Sequence, residues 1–510
     1  MFGFYRAVHR YNESMSELDS KLYTAEQVRC LDSCAIDKQG IAGFELMSRA
    51  GKAVFELAES KFPAAREWVV VCGAGNNAGD GYIVAGLALS AGKSVQLYAL
   101  AAVEKLSGDA QSAALAWLAQ GGTIAQWPPD LPSDMFGSPD LIIDALLGTG
   151  LDRSVQGLFL EAIEWMNRMD CPGVAVDIPS GINANSGQAM ALAYHADYTL
   201  CFIGMKHGLL TCDGPDHSGE VVFDSLDIPQ IVYDSVKNHG FIIRDKILSH
   251  LLRRRSRNSH KGQYGHVLIA GGNAGMSGAA QLAGEAALRS GAGLVTIATH
   301  PSHAAFLNMA RPELMVSGVS MENELEALLA KATVLALGPG LGSDLWAHEI
   351  FTQAIGSTLP MLIDADGLNL LAQNPRKVPN SILTPHPAEA GRLLGTSTAQ
   401  IQSSRIESAR LIASQYDAVV VLKGCGTVVA NPDGAYSICP LGNSGMATAG
   451  SGDVLSGIIA AFLAQGLTPW SAAQAGVVAH AVAGDLAAQS LGERYMLAGD
   501  IITNLSQVLR

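Results

Sequence analysis

The sequence of 510 residues has few charged and few aromatic side chains, at 16% and 6% of the chain. It has 33 Lys and Arg residues against 47 Asp and Glu residues, which gives a formal net charge of −14. Because binding to nucleic acid requires a basic face, we expect no nucleic-acid partner. Residues 253–257 contain a short basic run, which we interpret as a solvated linker segment.

Cysteine is also sparse, with eight residues and no CxxC pair, so neither a zinc site nor a disulfide framework is predicted. No stretch of about 18 apolar residues indicates a membrane span. The first 20 residues lack the apolar core of a secretory signal. We therefore expect a cytoplasmic protein that has no membrane partner.

Glycine, in contrast, is abundant, with 55 residues, and hydrophobic residues make up 48% of the chain. So apolar a chain can bury enough surface to fold, which argues against disorder. The glycines have no three-residue period, which excludes collagen. Many small residues with few aromatics favour α/β domains, in which phosphate-binding loops and close helix–strand packing need glycine.

Short β-branched runs alternate with Ala- and Leu-rich helical stretches along the chain, which predicts βαβ units and parallel sheets. The predicted strands of the first part are Trp68–Cys72, Ser94–Leu100, Leu141–Asp144, Val174–Asp177 and Tyr198–Ile203. Those of the second part are His266–Ala270, Leu294–Thr299, Val334–Leu337, Met361–Asp364, Ala418–Leu422 and Thr427–Ala430. Helices are predicted over Gly43–Phe62 and Ser277–Arg289.

A polar stretch over residues 225–260 separates these two sets of βα units. Each set is long enough to build a core of its own. We therefore predict two domains, over residues 1–237 and 238–510.

The first glycine motif follows an apolar strand as Gly73-x-Gly75-x-x-Ala78, a pattern typical of dinucleotide-binding turns. The acid expected ~20 residues later for a ribose hydroxyl is absent, which disfavours an NAD-dependent oxidoreductase. Asn76, Asn77 and Asp80 offer oxygen ligands for a cation or polar contacts to a ring. They could instead cap the next helix through Asx turns.

Acids end two other predicted strands of this half, Asp144 before Gly148-Thr149-Gly150 and Asp177 before Pro179-Ser180-Gly181. In an open parallel sheet the carboxyl ends of the strands face the ligand crevice. Either acid could merely cap a helix, and Lys206, after the next strand, could be a solvated lysine. Their common position at one sheet edge favours a site.

The motifs GAGNNAGDG, LLGTGL and VDIPSG resemble those of the N-terminal domain of the NAD(P)H-hydrate epimerases, over roughly residues 24–225. The resemblance implies a Rossmann-like three-layer sandwich that interconverts the R and S hydrates at C6. It also implies a potassium ion held by Asn77, Asp144 and Ser180. Substrate contacts are implied for Asn76, Asn77, Ala78, Gly79, Asp80, Gly148, Thr149, Gly150, Leu151, Asp152, Arg153, Ser154 and Asp177. Epimerisation needs an acid/base group near C6, for which Asp177 is our first candidate and Lys206 our second.

The second half carries several further turn motifs, and each has a structural alternative. Gly338-Pro-Gly340-Leu-Gly342 indicates close backbone approach to a ligand. Asp364-Ala-Asp366 could orient a magnesium–phosphate group or cap a helix. His386, between two prolines, is fixed for ligand contact or forms a structural turn. Lys423-Gly-Cys-Gly-Thr427 could bind nucleotide phosphates or ribose, although it is not a P-loop.

The most specific motif is Gly450-Ser451-Gly452-Asp453 within the glycine-rich run 442–457. A Gly-x-Gly-Asp turn that opens a helix directs backbone N–H groups and the helix dipole toward an anion. Asp453 beside that turn can accept a hydroxyl proton during phosphoryl transfer.

With HKGQYGHVLIAGG, ALGPGLG, IDADGLNLL, LTPHPAEAGRLLG, LKGCGTVV and NSGMATAGSGDVLSG, residues 241–510 resemble the ribokinase-like superfamily and, within it, the ADP-dependent (S)-NAD(P)H-hydrate dehydratases. Ser444 stands where that family often has proline, and Ser451 where it usually has threonine. The resemblance implies a ribokinase-like parallel-sheet domain that requires Mg²⁺. In the implied reaction Asp453 deprotonates the C6 hydroxyl, ADP phosphorylates it, and departure of the phosphate restores the dihydronicotinamide beside AMP. Nucleotide contacts are implied for Lys423, Gly424, Cys425, Gly426, Thr427 and Gly452, and hydrate contacts for Ala292, Gly340, His386 and Asp453.

Our preferred interpretation is a bifunctional repair enzyme for NADH and NADPH hydrates, assembled as a homo-oligomer. One alternative is a vitamin or sugar kinase with an accessory domain. Another is a non-enzymatic first half that only binds nucleotides or a partner. A kinase would release a phosphorylated acceptor, whereas a dehydratase releases free phosphate.

Overall fold

The computed structural model describes residues 20–127, 139–320 and 322–509. The described residues form two compact units, which divide between Gly240 and Phe241. Each unit has its own buried core and is built around a mainly parallel sheet.

The first unit contains the strands β1 (Lys21–Tyr23), β2 (Glu67–Cys72), β3 (Ser94–Ala99), β4 (Ile124–Gln126), β5 (Leu141–Ala145), β6 (Gly173–Val176), β7 (Tyr198–Phe202), β8 (Met205–Lys206) and β9 (Glu220–Asp224). Seven of them form a parallel sheet in the order β4-β3-β2-β5-β6-β7-β9. The chain leaves the centre in opposite directions from β2 and from β5. A crevice therefore opens at the carboxyl ends of these two strands.

Helices cover both faces of this sheet. They are α1 (Ala25–Asp37), α2 (Gly43–Lys61), α3 (Asn76–Ser90), α4 (Gly108–Ala119), α5 (Leu158–Arg168), α6 (Gly214–Ser218) and α7 (Gln230–Asp234). Val70 of β2 packs in one core with Val54 of α2, while the neighbouring Val69 packs in another core with Ile163 of α5. Successive strand residues point to opposite faces and both faces are covered, so β2 is apolar from Trp68 to Cys72. The predicted Rossmann-like three-layer sandwich is confirmed.

The strand β10 (Gly240–Ile242) spans the point of division. The second unit continues with β11 (His266–Ala270), β12 (Leu294–Thr299), β13 (Met315–Gly318), β14 (Val334–Leu337), β15 (Met361–Ile363), β16 (Ser381–Leu383), β17 (Val419–Leu422), β18 (Thr427–Ala430) and β19 (Tyr436–Cys439). These strands lie in the order β13-β12-β11-β14-β15-β16-β17-β18-β19. All neighbours are parallel except β17–β18 and β18–β19, which are antiparallel. The chain changes direction between β11 and β14, which places the crevice at their carboxyl ends.

The helices of this unit are α8 (Lys246–Leu251), α9 (Ser277–Arg289), α10 (Pro301–Ala304), α11 (Glu322–Leu329), α12 (Leu345–Ala354), α13 (Ala365–Gln373), α14 (Pro387–Leu394), α15 (Thr398–Ser403), α16 (Arg405–Tyr416), α17 (Ser451–Ala464), α18 (Pro469–Leu491) and α19 (Ala498–Val508). Val267 and Ile269 of β11 pack in one core with α9, α17 and α18, and the intervening Leu268 is equally buried on the opposite face. This parallel sheet with two buried faces matches the predicted ribokinase-like domain.

Most predicted strands are confirmed to within one or two residues, and the missed strands are short. The strands that were not predicted have only two to five residues, too few for a clear alternation of apolar and polar side chains; they are β1, β4, β8, β9, β10, β13, β16 and β19. The eight cysteines, all of which lie in the described ranges, form no disulfide bond. No helix among the described residues has the length and apolar character needed to cross a membrane.

Candidate functional sites

At the switch point of the first sheet, the carboxylate of Asp144 is fully buried and held by several donors. Ser180 donates its backbone N–H to Asp144 Oδ2 at 2.7 Å and its hydroxyl to Oδ1 at 2.5 Å. Leu146 N–H also donates to Oδ1, at 3.2 Å. Burial raises the pKa of Asp144 to about 6, although these hydrogen bonds act in the opposite direction. Asp144 therefore stays an anion at neutral pH within a dry environment.

The loop that follows β5 contacts both Asn77 and Ser180, the serine that holds this carboxylate. The Ser180 hydroxyl accepts a hydrogen bond from Leu147 N–H at 2.7 Å. The next residue, Gly148, lies against Asn77, because a Cβ atom built on Gly148 would stand 3.2 Å from Asn77 Cβ. The Asn77 side-chain nitrogen is buried and has no hydrogen-bond partner. Since an amide can present either end, Asn77 can direct its oxygen into this space.

The second feature of this site is a buried ion pair between Lys206 and Asp177. Lys206 is 0% exposed, and its ammonium donates to Asp177 Oδ1 and, at 2.8 Å, to the carbonyl of Phe202. Burial is the largest single effect on the pKa of Lys206 and lowers it, but the charges of Asp177, Cys201 and Asp32 together outweigh burial, so the pKa is raised. The alternative of a solvated Lys206 is thus wrong. Asp177 has a φ of +67°, an unusual conformation for a non-glycine residue and one often found at functional sites.

Two further carboxyls surround this pair, and the sequence argument missed one of them, Asp32 of α1. Burial raises the pKa of Asp32 to about 6, with Lys206 opposing and Asp177 adding to the shift. Burial and the charges of Asp177 and Asp32 raise the pKa of Asp80 well above its usual range. The sequence does contain one signal for Asp32. On helix α1 this acid lies on the same face as the apolar residues Val28 and Leu31, where a solvated acid is not expected.

The residues at positions 76–80 are not a loop, because α3 begins at Asn76. No side-chain cap precedes that helix, so the Asx-turn alternative is wrong. Ala78 and Gly79 are buried, and only their backbone can contact a ligand. The segment 148–154 is irregular and partly exposed, so Gly148, Thr149, Gly150, Leu151, Asp152, Arg153 and Ser154 border the crevice as an accessible loop.

In the second unit, Lys423 after β17 and Asp364 after β15 form the centre of the site. Lys423 Nζ donates to Asp364 Oδ1 at 2.8 Å, and Ser456 of α17 donates to Oδ2 at 2.7 Å. Asp364 is 1% exposed. Gly452 lies over this pair, because a Cβ atom there would stand 3.4 Å from Lys423 Nζ. The helix begins at Ser451 behind Gly450, so the predicted Gly-x-Gly-Asp turn does open a helix.

Asp453, in the first turn of α17, has the electrostatics of an acid/base group. Burial, together with the negative charge of Asp364, raises the pKa of Asp453 to about 7, and Lys423 partly opposes this. A carboxyl with a pKa near the working pH can both accept and release a proton.

The glycine loop after β14 is pinned to its neighbours by the backbone. Gly338 has a φ of +125°, and a side chain there would collide with the Asp364 carbonyl. Gly340 has a φ of +59°, and its carbonyl accepts a hydrogen bond from Asn273 N–H at 2.7 Å. Gly342 N–H donates to Asp366 Oδ2 at 2.8 Å. The loop therefore joins the ends of β11, β14 and β15.

His386 caps α14, since its Nδ1 accepts from Ala388 N–H at 3.1 Å, which bears out the structural role of this turn. Its side chain remains 47% exposed beside the buried Glu389. Glu389 lies 3.9 Å from Lys423 Nζ, so His386 adjoins the central cluster. Thus Gly340, His386, Lys423, Gly452 and Asp453 follow the same sheet edge, although they are far apart in sequence.

Ala292 does not lie with these residues. It precedes β12, whereas the site is at the carboxyl ends of the strands. Because β12 has 6 residues, about 20 Å separates its two ends. The expected hydrate contact from Ala292 within this crevice is not supported.

Arg405 of α16 is a second residue that the sequence argument missed. It is 2% exposed, and its Nη2 donates to the carbonyls of Leu422 and Lys423 at 3.3 Å and of Gly426 at 3.4 Å. The guanidinium therefore underlies the segment Lys423–Thr427, in which Gly424 and Cys425 are exposed. No sequence signal distinguishes this arginine from those on helix surfaces.

Within the part of the chain that the structure describes, no group of three or more His, Cys, Asp or Glu residues could hold a metal ion. The donor set of the first site is instead one carboxylate, one hydroxyl and one amide, which suits a weakly held monovalent cation. The second site has carboxylates around a lysine. Magnesium there would need phosphate oxygens and water as further ligands.

Both halves of the chain match known family models. Residues 43–208 match a model described as YjeF-related protein N-terminus, and residues 267–507 match one described as NAD(P)H-hydrate dehydratase.

The chain is also similar to known proteins over nearly its full length. It is 43% identical over 484 residues to the bifunctional NAD(P)H-hydrate repair enzyme Nnr of Coxiella burnetii, which covers 95% of this chain and 98% of that protein. The enzyme of the same name from Escherichia coli is 43% identical and covers 98% of this chain and 96% of that protein. Among solved structures, the ADP/ATP-dependent NAD(P)H-hydrate dehydratase of Bacillus subtilis is 30% identical, with a TM-score of 0.47 over 52% of this chain and 97% of that chain.

Proposed function

This chain belongs to the family of bifunctional NAD(P)H-hydrate repair enzymes, and from that premise we propose how its residues divide the work. The enzyme repairs hydrated NADH and NADPH, with an epimerase half and a dehydratase half. Residues 1–237 are assigned to the epimerase domain and residues 238–510 to the ADP-dependent dehydratase domain. The two family matches, one on each side of this boundary, support that assignment.

The observation that carries the dehydratase assignment is Asp453 at the first turn of α17, beside Lys423 and Asp364. In its ionised form Asp453 accepts the C6 hydroxyl proton as that oxygen attacks the β-phosphorus of ADP and AMP leaves. Lys423 and the amides of the α17 N-terminus stabilise the charge on the transferred group. Phosphate then departs with electrons from the ring nitrogen, and loss of a C5 proton forms the double bond of the dihydronicotinamide.

The segment Lys423, Gly424, Cys425, Gly426 and Thr427, with Gly452, is proposed to bind the nucleotide, while Gly340, His386 and Asp453 face the hydrate. Two exposed glycine-turn residues and a buried supporting arginine favour this division. Mg²⁺, held by the nucleotide phosphates and a site carboxylate, would neutralise phosphoryl charge. ADP is the proposed co-substrate.

In the epimerase half, Asp177 is proposed to remove the C6 hydroxyl proton as the C6–N bond opens and to return it as that bond closes on the other face, and Lys206 is proposed to hold Asp177 in place. Asn77, Asp144 and Ser180 would hold K⁺, which would supply a fixed positive charge beside the substrate. The buried anionic Asp144 and the unpartnered Asn77 amide support this site. The rim residues Asn76, Asp80 and 148–154 would contact the hydrate. A homo-oligomer and a cytoplasmic location stay predictions, which sedimentation and cell fractionation can check.

The test is to incubate the full chain with mixed R and S hydrates of NADH, with ADP, with ATP or with neither. We expect recovery of the dihydronicotinamide absorbance together with AMP and phosphate when ADP is present. Asp453→Asn should stop recovery while R/S equilibration persists, and Asp177→Asn should stop equilibration only. Recovery with neither nucleotide, or joint loss of both activities in either variant, would contradict the proposal. Asp433→Asn, in an exposed turn, is the control.

A further inference from the structure

The strand and helix that precede the first site hold Asp32 against it. β1 pairs with β8 in a register that sets Tyr23 opposite Lys206. In the following helix, α1, Val28 packs against Gly204, which immediately precedes β8. A Cβ atom built on Gly204 would stand 3.2 Å from Val28 Cγ2. Asp32 lies four residues after Val28 and so on the same helix face. Its carboxyl is therefore directed toward the segment that carries Lys206.

The Asp32 carboxyl is incompletely satisfied where it lies. Its Oδ1 atom is buried and has no hydrogen-bond partner. An unpaired buried carboxylate oxygen is costly, because burial removes its water without replacing the hydrogen bonds. A capped or solvated structural aspartate would not carry this cost. The position is consistent with a carboxyl retained for its charge or its proton.

Because charged groups lie around Asp32, its protonation state changes the electrostatic environment of its neighbours. The charge of Lys206 acts on all three carboxyls, because its ammonium donates a hydrogen bond to Asp177 and opposes the rise in the pKa of Asp32 and of Asp80. Burial raises the pKa of Asp32 to about 6 and also raises the pKa of Asp80 well above its usual range. Asp32 therefore gains or loses its charge within the range in which enzymes usually work.

We propose that Asp32 is a positioning residue of the epimerase site, which sets the basicity of Asp177 by competing for the ammonium of Lys206. This inference rests on the proposed role of Asp177 as the acid/base group. When Asp32 is neutral, the positive charge of Lys206 acts mainly on Asp177 and makes Asp177 a weaker base. When Asp32 is ionised, Lys206 is shared and Asp177 accepts a proton more readily.

The test measures the rate of R/S equilibration of NADH hydrate against pH, in the full-length protein and in Asp32→Asn. The amide keeps the shape of the side chain but cannot ionise. In the parent protein the rate should rise with pH around pH 6, and in Asp32→Asn this rise should vanish and the rate at neutral pH should fall about tenfold. Asp32→Glu, which can ionise, should restore a pH step. Asp37→Asn, at the exposed end of α1, is the matched control.

Dehydration of the S hydrate by the same preparations reports whether the other domain is intact, and far-UV circular dichroism with a thermal scan reports on folding. An Asp32→Asn protein with the parental rate and pH profile would overturn the inference. An Asp32→Asn protein that epimerises more slowly at every pH but keeps the rise in rate near pH 6 would overturn it as well. If Asp177→Asn retained full epimerisation, the proposed function itself would fail, whatever Asp32 does.

Discussion

Gly452, the second residue of α17, lies directly over the ammonium of Lys423 where it pairs with the buried Asp364. A Cβ atom built on Gly452 would stand 3.4 Å from Lys423 Nζ and 4.0 Å from Asp364 Oδ2. Both are ordinary contact distances, so the glycine is not required by packing. The space that it leaves open is bounded by a cation and by helix amides, which is the environment that a phosphoryl group needs.

We predict that Gly452→Ala leaves the domain folded but lowers dehydration by about 10-fold or more, because its methyl group occupies the path between phosphate and amides. The measurement is kcat for hydrate dehydration alongside thermal unfolding. Gly499→Ala is the matched control, since Gly499 is also the second residue of a helix and faces open space. Equal activity of the two variants would show that no phosphate lies above Lys423.

Dehydration should depend on the ionised form of Asp453, whose pKa is raised to about 7. Activity should therefore fall as pH decreases through about 7. The negative charge of Glu389 helps to raise the pKa of Asp453. Glu389 Oε2 also accepts a hydrogen bond from His386 N–H at 2.7 Å. Glu389→Gln keeps that acceptor and removes the charge, so the acidic limb should move to lower pH. An acidic limb that stays at the same pH, or that moves to higher pH, would contradict the assignment of this limb to Asp453.

The sequence could predict the residues that lie at strand ends, because topology brings those ends together. Asp144, Asp177 and Lys423 follow buried apolar runs, and the turn before Asp453 has an unusual glycine pattern. The parallel order then places each set at one crevice. The same logic correctly joins Gly340 to residues more than 80 positions later.

What the sequence could not predict depends on side-chain packing across long separations. Asp32 reaches the site only because β1 pairs with β8 more than 180 residues later. Arg405 lies beneath the nucleotide segment through tertiary packing of α16, with a sequence environment like that of a surface arginine. Ala292 lies before β12, and a motif match assigns a contact without stating which end of a strand the residue occupies.

Arg405 should support the nucleotide segment through its three carbonyl contacts. A lysine cannot reproduce the planar set of donors, so we predict that Arg405→Lys raises KM for ADP by about 10-fold with a smaller change in kcat. Arg410→Lys is the control on the same helix, because Arg410 contacts Gly434 and Glu407 instead. If kcat fell and KM did not change, Arg405 would act on chemistry or on stability rather than on binding.

Potassium should stimulate epimerisation through the Asp144–Ser180 site. We predict that the parental rate rises with KCl at constant ionic strength, and that K⁺ also raises the unfolding temperature of the first domain, as a ligand of the native state does. Ser180→Ala should lose both responses. Ser218→Ala removes another buried serine hydroxyl, bonded to the Gly214 carbonyl, and should keep them. K⁺ effects that persist in Ser180→Ala would exclude this site.

Gly457 sets the distance between α17 and α9, and through it the position of Asp453. A Cβ atom on Gly457 would collide with the carbonyl of Ala283 and stand 2.8 Å from Ala286 Cβ. Backbone cannot yield as a side chain can, so Gly457→Ala should destabilise the second domain by about 1–3 kcal/mol and displace the turn at the start of α17. Denaturant unfolding and dehydration assays should both show the change, while epimerisation should be retained.

Gly284→Ala, in α9, tests the same added methyl group against side-chain ends, because its nearest neighbours are Leu314 Cδ2 and Ile297 Cδ1. Terminal methyl groups can move by rotation about side-chain bonds, so this variant should lose less stability and keep most of its dehydratase activity. Equal losses in the two variants would mean that the cost of the added methyl group does not depend on whether it meets backbone or side-chain ends. Full activity in Gly457→Ala would mean that the position of Asp453 does not depend on the packing of α17 against α9.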